Sequence, residues 1–383
     1  MLQKPMRTLQ IGDDWIEDRE NGLSRYYYEL LRHLPATNTT CHGLVVGSPG
    51  ISDSTGGEVI AFARPDASLF ERLRGARKAA LTQISQSKIE LIALHFALYG
   101  FPIADRLREI PTVAHFHGPW SSESGVEGAT NLNSRFKNAI ENIVYSRARR
   151  LIVLSSAFQQ ELIRRYRVSE ELIRIVPGGI DVDRFNTNIS RAAARLQLGW
   201  PTDRPILLAV RRQVRRMGLE DLIDAAKLLI QQHPDVLVLL GGSGPISGEL
   251  KARITAVGLE NSIRLLGRIN DADLPIAYRA ADMTVVPSRS LEGFGLITLE
   301  SLASGTPVFV TPIGGLPEVV QPLAPQCVFA DLSSSEMAGV LGEALSGARP
   351  IPTEEACRTY AVNGFSWSRI ASKVRAVYSE AVQ

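Results

Sequence analysis

Short apolar runs alternate with helical patterns from one end of this chain to the other, and this alternation restricts its possible folds more than any other feature. Strands separated by crossover helices pair in parallel, and helices then cover both faces of the sheet. The runs that fit strands are Thr8–Gly12, Gly43–Val46, Val59–Phe62, Glu90–Leu94, Thr112–Phe116, Leu151–Leu154, Ile173–Val176, Ile206–Val210, Val236–Leu240, Ile263–Leu266, Thr284–Val286, Val308–Val310 and Val328–Ala330. The pattern predicts an α/β protein.

A polar interruption around Gly178–Thr202 separates two such series. With 383 residues, 45% of them hydrophobic, the chain is long enough for two cores. We therefore predict two Rossmann-like domains, residues 1–183 and 184–367, with the terminal helix 368–383 packing back on the first. Ligands of such sheets bind outside the carboxyl ends of the strands, so two facing sheets would hold a ligand between them.

Charge and cysteine content exclude several classes of protein. The 42 Lys and Arg residues nearly balance the 40 Asp and Glu residues, so no concentrated basic excess indicates nucleic-acid binding. Cys41, Cys327 and Cys357 fit neither a disulfide framework nor a zinc spacing, which favours a reducing compartment. No apolar run reaches the ~18–20 residues that cross a bilayer. We expect a cytoplasmic protein, at most peripheral at the inner membrane face.

The strongest functional signal is the segment Ser290–Glu300, in which Glu292 and Glu300 stand eight positions apart. Eight residues make a little over two helical turns, so both carboxylates are expected on one side of a helix. Gly293–Gly295 would enter that helix, where free N–H groups and the positive end of the dipole suit an anion. A carboxylate deeper in the helix can accept two hydrogen bonds from a sugar or ribose diol.

This segment resembles the Glu-(seven residues)-Glu motif of the retaining glycosyltransferases of family four, which have the GT-B fold. Further stretches that resemble the same family are Leu151–Ser156, Ile175–Phe185, Gly314–Glu318 and Phe365–Trp367. The resemblance covers nearly the whole chain, most densely Arg150–Gln321. It implies transfer of a sugar from a nucleoside diphosphate, with retention of configuration and without a catalytic metal.

The resemblance also implies a donor site. Glu292 would bind hydroxyls of the donor sugar, Glu300 the nucleotide ribose, and the N–H groups of Gly295 and Leu296 the diphosphate. The base would be held largely by backbone near Arg268 and Ile269. The remaining donor-side residues implied are Gly22, Gly242, Gly293 and Phe294.

One part of the family pattern is missing. Arg212 aligns with the arginine of a basic pair that holds the donor diphosphate, but Met217 stands where the family usually has lysine. A thioether does not neutralise a diphosphate. Arg215 and Arg216 crowd the same turn and offer planar guanidinium groups. We expect Arg212 to keep its role and Arg216 to take over part of the missing one.

Near the N-terminus, Asn21, Gly22 and Ser24 follow the first strand and open a helix predicted over Tyr26–Leu34. They match the family's glycine loop, which lies over the donor phosphates and borders the acceptor. Asn21 and Ser24 are therefore acceptor-side candidates.

His115 and His117 share one face of a strand, but no third metal ligand with suitable spacing is evident. The resemblance places His117 beside the donor sugar, where an imidazole can hydrogen-bond the sugar or the developing charge. His115 is interpreted as structural. Trp120 and Glu123 follow in the same loop and are acceptor-side candidates.

Other patterns leave alternatives open. Asp181/Asp183 and Asp271/Asp273 are interpreted as capping and structural residues rather than metal ligands. The loop Gly241–Gly244 is typical of a dinucleotide fingerprint, although its spacing misses by one, and would suit an NAD-linked oxidoreductase. Met217 would suit a catalytically inactive nucleotide-sugar-binding protein. A nucleotide-sugar epimerase of the same fold would need no acceptor.

The basic, amphipathic stretch Leu69–Leu81 favours either a solvated helix face or weak contact with an anionic membrane.

Taken together, the sequence predicts a retaining hexosyltransferase without metal or other cofactor, with His117, Glu292 and Arg212 at the reacting centre. Its donor is expected to be UDP- or GDP-linked. Its acceptor is a glycan, a lipid-linked sugar or a small molecule, and no nucleic acid is involved.

Overall fold

The computed structural model describes residues 4–120 and 131–383. The chain divides into two compact units. Unit 1 comprises residues 1–179 together with 367–383, and unit 2 comprises residues 180–366. The divisions lie a few residues before 183/184 and one residue before 367/368.

Unit 1 is built on a seven-stranded parallel sheet with the order β3-β2-β1-β4-β5-β6-β7. Its strands are β1 (Met6–Asp14), β2 (Thr39–Val46), β3 (Val59–Ala63), β4 (Leu91–Leu94), β5 (Thr112–Phe116), β6 (Arg150–Val153) and β7 (Ile173–Ile175). The central strands are almost completely buried, because helices cover both faces of the sheet.

Helices connect these strands and cover the sheet. They are α1 (Gly22–His33), α2 (Ile51–Ser54), α3 (Leu69–Gln86), α4 (Ala97–Gly100), α5 (Asn131–Tyr145), α6 (Ser156–Tyr166) and the terminal α16 (Trp367–Val382). The last of these packs Trp367, Val374 and Tyr378 into one of the cores of unit 1. The terminal helix is therefore part of unit 1, although unit 2 separates it from the rest in sequence.

Unit 2 has a five-stranded parallel sheet with the order β10-β9-β8-β11-β12. Its strands are β8 (Ile206–Val210), β9 (Leu237–Gly241), β10 (Ile263–Gly267), β11 (Met283–Val286) and β12 (Val308–Val310). The strand order reverses between β8 and β11. That switch point is where ligands of doubly wound sheets bind.

The helices of unit 2 lie between and after these strands. They are α7 (Val182–Phe185), α8 (Arg191–Leu198), α9 (Leu219–Ile230), α10 (Ser247–Ala256), α11 (Leu274–Ala280), α12 (Leu296–Ala303), α13 (Leu316–Val320), α14 (Ser334–Leu345) and α15 (Glu354–Phe365). The single-face apolar stripe predicted after β8 is confirmed, since Leu219, Leu222, Ile223, Ala226 and Leu229 of α9 are all buried.

The structure confirms twelve of the thirteen predicted strands, with ends that shift by at most two residues except for β2, which begins at Thr39, four residues before the predicted Gly43. The exception is Val328–Ala330, where only an isolated bridge joins Val328 to Val310. The first helix begins at Gly22, four residues before the predicted Tyr26, because Asn21 forms a capping box with Ser24. No helix in the described ranges is both long enough and apolar enough to cross a membrane.

Candidate functional site

Glu292 lies in the loop before helix α12 and not on the helix. The helix begins at Leu296, and its N-cap Gly295 has a left-handed φ of 76°. The prediction that Glu292 and Glu300 share one helical face is therefore wrong, because the chain before Gly295 is not helical. Tertiary contacts position Glu292, whereas the helix itself positions Glu300.

An arginine after β8 holds the Glu292 carboxylate. Nη2 of Arg211 donates to Oε2 of Glu292 in a short ion pair, and Ser288 Oγ donates to the same oxygen at 2.9 Å. Both charged side chains are largely inaccessible, with 6% of Arg211 and 12% of Glu292 exposed. Because charges this deep are costly unless paired, the pair is a fixed feature of the site.

Main-chain packing fixes the loop that carries Glu292. The N–H of Gly315, after β12, donates to the Glu292 carbonyl oxygen at 3.0 Å. A Cβ atom on Gly314 would lie 1.8 Å from that oxygen, and Gly314 has a φ of 58°. Glycine is required there, so the loops after β11 and β12 interlock at Glu292.

Glu300 projects from helix α12 and accepts a hydrogen bond from a buried tyrosine. The Tyr278 hydroxyl, on α11, donates to Oε2 of Glu300 at 3.0 Å. Burial raises the pKa of Tyr278 well above its usual value, so the hydroxyl stays protonated and remains a donor. This hydrogen bond orients the Glu300 carboxylate, which is partly exposed.

The other arginines of the predicted basic cluster lie elsewhere. Arg212 is exposed two residues after β8, next to the buried Arg211. Arg216 donates from Nη1 to the carbonyl oxygen of Leu291 at 3.2 Å, beside Glu292 in sequence. Met217 is buried, 7% exposed. The diphosphate roles of Arg212 and Arg216 stay predictions.

The glycines of the loop after β9 have a packing role. A Cβ on Gly242 would lie 1.9 Å from the Arg211 carbonyl oxygen, and one on Gly244 would lie 2.3 Å from that of Gln213. The Gln213 side chain also donates from Nε2 to the Gly242 carbonyl oxygen at 2.8 Å. Close approach of two loops therefore accounts for this glycine pattern without a dinucleotide.

Replacing Gly242 by alanine should destabilise unit 2 by at least about 2 kcal/mol, because the new Cβ meets backbone and φ is 112°. Gly248→Ala is the matched control, since Gly248 has open space around it, and its effect should stay within about 0.5 kcal/mol. Urea unfolding of the three proteins measures both changes. Equal stabilities would show that the two loops do not approach as closely as described.

The remaining donor-side candidates border the same edge of the unit 2 sheet. Arg268 and Ile269 directly follow β10, with Arg268 exposed and Ile269 partly exposed. Gly293 and Phe294 lie between Glu292 and the helix, and Phe294 is buried. Leu296 is the first residue of α12, whose first-turn N–H groups lack partners in the helix.

In unit 1, Asn21, Gly22 and Ser24 form the start of α1. Oδ1 of Asn21 accepts from the N–H groups of Leu23 and Ser24 at 2.8 and 3.0 Å, and Oγ of Ser24 accepts from the N–H of Asn21 at 2.9 Å. Both acceptor-side candidates therefore cap the helix. Gly22 is exposed, and nothing lies within 4 Å of where its Cβ would be, so the space above it is open.

A third histidine joins the two that the sequence analysis identified. His95, after β4, stacks on His115 with ring centroids 4.1 Å apart, and nitrogens of His95, His115 and His117 lie within 4.8 Å of one another. No sequence spacing linked His95 to the others. The parallel pairing of β4 with β5 brings it beside them.

Hydrogen bonds assign the tautomers of this stack. Gln10 donates from Nε2 to Thr8 Oγ1 at 2.9 Å, so its Oε1 accepts from His95 Nε2 at 2.9 Å and from the Tyr378 hydroxyl at 3.3 Å. The Tyr378 oxygen then accepts from His115 Nε2 at 2.9 Å. His115 Nδ1, 3.3 Å from the Tyr26 hydroxyl, accepts from it. Each of these rings is neutral.

Burial lowers the pKa of all three imidazoles. The pKa of His117 falls to about 3, and those of His95 and His115 fall well below the usual 6.5, with neighbouring rings adding to the effect. His117 packs edge-on against Tyr26, and its buried Nε2 has no partner among the described residues. It can therefore offer a neutral imidazole to a ligand.

The arrangement of the three rings does not suit a metal ion. Ring planes differ by 9° to 21°, and His95 and His115 overlap face to face. Since the lone pairs of imidazole lie in the ring plane, stacked rings do not aim them at one point. Both nitrogens of His115 also bind tyrosine hydroxyls.

The acceptor-side candidates in the next loop are only partly described. The backbone N–H of Trp120 donates to Oε1 of Glu141 at 2.9 Å, and the indole packs on Phe96 and carries the Lys137 ammonium 4.5 Å above it. Glu123 lies outside the described residues.

The Asp-x-Asp pairs have the structural roles expected of them, with one difference. Asp181 caps α7 by accepting from the N–H of Arg184 at 3.1 Å. Asp271 pairs with the Arg184 side chain at 3.3 Å. Asp273 is at the N-cap of α11, but its side chain bonds Asn270 and not the helix.

Sequence reasoning missed several residues that lie beside the candidates in unit 1 or in unit 2. They are Arg211, Ser288, Tyr278, His95 and Asp13. The first four are defined by contacts between segments that are separated in sequence. Asp13 is the penultimate residue of β1, where burial and the neighbouring Asp14 raise its pKa to about 7 against the opposing effect of Arg19 and Arg72.

Two family descriptions match this chain. "Glycosyltransferase Family 4" matches residues 20–184, and "Glycosyl transferases group 1" matches residues 190–363. A D-inositol 3-phosphate glycosyltransferase of Corynebacterium jeikeium is 31% identical over 76% of this chain and 72% of its own. A mannosylfructose-phosphate synthase of Agrobacterium fabrum is 30% identical over 61% of this chain and 56% of its own.

Solved structures share the fold at lower identity. Sucrose-phosphate synthase from Thermosynechococcus elongatus superposes with a TM-score of 0.77 at 23% identity, covering 98% of each chain. Anabaena Alr3699/HepE in complex with UDP and glucose gives a TM-score of 0.77 at 22% identity, covering 98% of this chain and all of the other.

Proposed function

This chain belongs to glycosyltransferase family 4, and from that membership we propose that it is a retaining, metal-independent hexosyltransferase that uses a nucleoside-diphosphate donor. Its fold is the GT-B fold that the sequence predicted, with two Rossmann-like units. The acceptor we propose is a glycan, a lipid-linked sugar or a small molecule.

The observation that carries this proposal is the placement of Glu292 and Glu300 in unit 2. Both residues lie in the segment that follows β11, beside the switch point of the sheet, with Glu292 in the entry loop and Glu300 on α12. Arg211 and Ser288 hold the first, and Tyr278 holds the second. Two fixed carboxylates next to a helix N-terminus suit a ligand with hydroxyls at both ends of a diphosphate.

In the proposed reaction, Glu292 binds donor-sugar hydroxyls and Glu300 binds the ribose. Arg212 and the N–H groups of Gly295 and Leu296 stabilise the charge that builds on the diphosphate as the bond from the sugar to the phosphate oxygen breaks. The acceptor oxygen attacks the same face of the sugar, and its proton passes to the departing phosphate oxygen. The role proposed for His117 is that of a neutral, hydrogen-bonding imidazole.

A UDP-linked hexose is the first donor to test, because Anabaena Alr3699/HepE is in complex with UDP and glucose.

Weak contact with an anionic membrane is also part of the proposal. Leu69 and Phe70 are exposed at the start of α3, and Arg74 and Lys78 are exposed further along it. Exposed apolar residues beside basic ones suit an anionic lipid surface.

A thermal-shift screen against UDP-, GDP- and ADP-sugars and NAD(H) tests the donor. We expect one nucleotide sugar to raise the melting temperature by roughly 5 °C at 100-fold its Kd. Glu300→Ala should abolish that rise, whereas Glu260→Ala, at an exposed position, should keep it. A rise with NAD(H) alone, unchanged in Glu300→Ala, would favour the oxidoreductase alternative. Donor binding without transfer would favour the inactive binding protein.

A further inference from the structure

The end of β8 supplies a cation that reaches the centre of the unit 2 site. Arg211 is the first residue after β8, and its N–H donates to the carbonyl oxygen of Gly241 at 2.9 Å. Ser288 follows the neighbouring strand β11. Both side chains therefore start at the switch point of the sheet.

Three contacts converge on one nitrogen of Arg211. Nη2 lies 2.8 Å from Oγ of Ser288, 2.6 Å from Sδ of Met217, and in a short ion pair with Oε2 of Glu292. The side chain is 6% exposed, and its buried Nε has no partner among the described residues. A cation held this way neutralises Glu292 in place.

Met217 contacts Nη2 of Arg211 and borders the position that this nitrogen occupies. Its sulfur stands at the δ position of the side chain, where lysine has Cδ. The ammonium nitrogen of a lysine lies two bonds beyond Cδ, about 2.5 Å away. Because Nη2 of Arg211 contacts the sulfur, a lysine at position 217 would place its nitrogen within reach of the same point.

The pairing leaves half of the Glu292 carboxylate available. Both protein donors bind Oε2, and no hydrogen bond from the described residues reaches Oε1. Oε1 lies on the side of Gly295, since a Cβ there would be 3.8 Å from it. One oxygen is thus anchored by protein, and the other is turned toward the N-terminus of α12, where the donor is proposed to bind.

We propose that Arg211 is the positioning residue of the donor site, and that Arg211 and Met217 are a matched pair that places one cation on Glu292. This inference rests on the proposed function for its catalytic consequence. Arg216 donates to the Leu291 carbonyl oxygen, and its role toward the diphosphate stays a separate prediction. Arg211 acts on the sugar through Glu292.

A charge swap tests this pair. Met217→Lys alone puts two cations against one carboxylate and should lower kcat/KM at least 10-fold. Arg211→Met alone leaves Glu292 without its partner and should lower it about 100-fold. The double variant Arg211→Met/Met217→Lys restores a single cation and should return to within about 5-fold of the wild type. The control Arg211→Met/Met217→Leu has no cation and should stay as low as Arg211→Met.

The readout that separates positioning from general damage is ligand binding. Arg211→Met should weaken binding of the intact nucleotide sugar and lower kcat, while the affinity for the free nucleoside diphosphate stays within about 2-fold. The inference would be overturned if Arg211→Met lost the same affinity for both ligands. It would also be overturned if the double variant lost as much kcat/KM as the two single losses multiplied, or if Met217→Lys gained activity.

Thermal unfolding of the same proteins requires no substrate. The two single variants should melt lower than the wild type, and the charge swap should recover most of the loss. If the charge swap recovers the melting temperature but the wild type neither binds nor turns over any donor, the proposed function is wrong and the pair stands. If the wild type is active but the charge swap recovers nothing, the pair alone is overturned.

Discussion

Replacing Glu292 by glutamine should lower kcat/KM for sugar transfer by about 10²–10³-fold, or about 3–4 kcal/mol of transition-state stabilisation. Glutamine keeps the shape of the side chain but removes the negative charge, which pairs with Arg211 and which we propose binds donor-sugar hydroxyls. It also leaves Arg211 buried beside a neutral group, which is costly. We therefore expect a lower melting temperature as well. Steady-state kinetics with the donor found in the thermal-shift screen measure the loss.

Glu260→Gln is the control for this substitution, because Glu260 is exposed after α10, outside the site. Its kinetics should match those of the wild type. If Glu292→Gln kept full activity in a protein that melts normally, the carboxylate would have no part in the reaction. The site would then have to be sought elsewhere in the chain.

Unit 1 should lose about 3 kcal/mol of stability between pH 7 and pH 5. The folded pKa values of His95, His115 and His117 lie below their unfolded value of 6.5. The unfolded chain therefore binds up to three more protons as the pH falls, and each lowers stability. Asp13 opposes this, because its folded pKa of about 7 exceeds the ordinary 3.8 and the folded state holds that extra proton. The net uptake on unfolding approaches two protons near pH 5.

Urea unfolding at pH 7, 6 and 5 checks the sign, and tryptophan fluorescence is a suitable signal because Trp15, Trp120 and Trp367 lie in unit 1. His95→Gln keeps a hydrogen-bond donor for Gln10 and should reduce the proton uptake on unfolding by one proton. His233→Gln, in unit 2, should leave it unchanged. A stability that is flat or rises as the pH falls would mean that the stack is not buried and neutral.

The sequence predicted most of the fold because the patterns that favour strands and helices lie among residues that are close together along the chain. Apolar runs such as Ile206–Val210 and Val308–Val310 correspond to the strands residue for residue. The false prediction at Val328–Ala330 has the same origin: the run is apolar, but only one bridge joins it to the sheet. Pairing with a neighbour decides whether such a run becomes a strand.

The candidate site was only partly predictable. Glu292 and Glu300 were found by their spacing and their entry loop, although the helical geometry assumed for them was wrong. The sequence analysis chose Arg212 from its alignment with the family motif. It did not identify the neighbouring Arg211, which the structure buries against Glu292, 81 positions away. His95 and Tyr278 carried no local signal at all.

The sequence by itself determined the alternation of strands and helices, the presence of two cores and the family, because periodicity and motifs depend on neighbours along the chain. Only the tertiary structure decided which arginine meets Glu292, why Gly242 must be glycine and how three histidines come to stack. Those outcomes depend on which loops meet at the carboxyl ends of parallel strands. Side chains point to opposite sides at successive positions there, so one residue along the chain separates a buried cation from an exposed one.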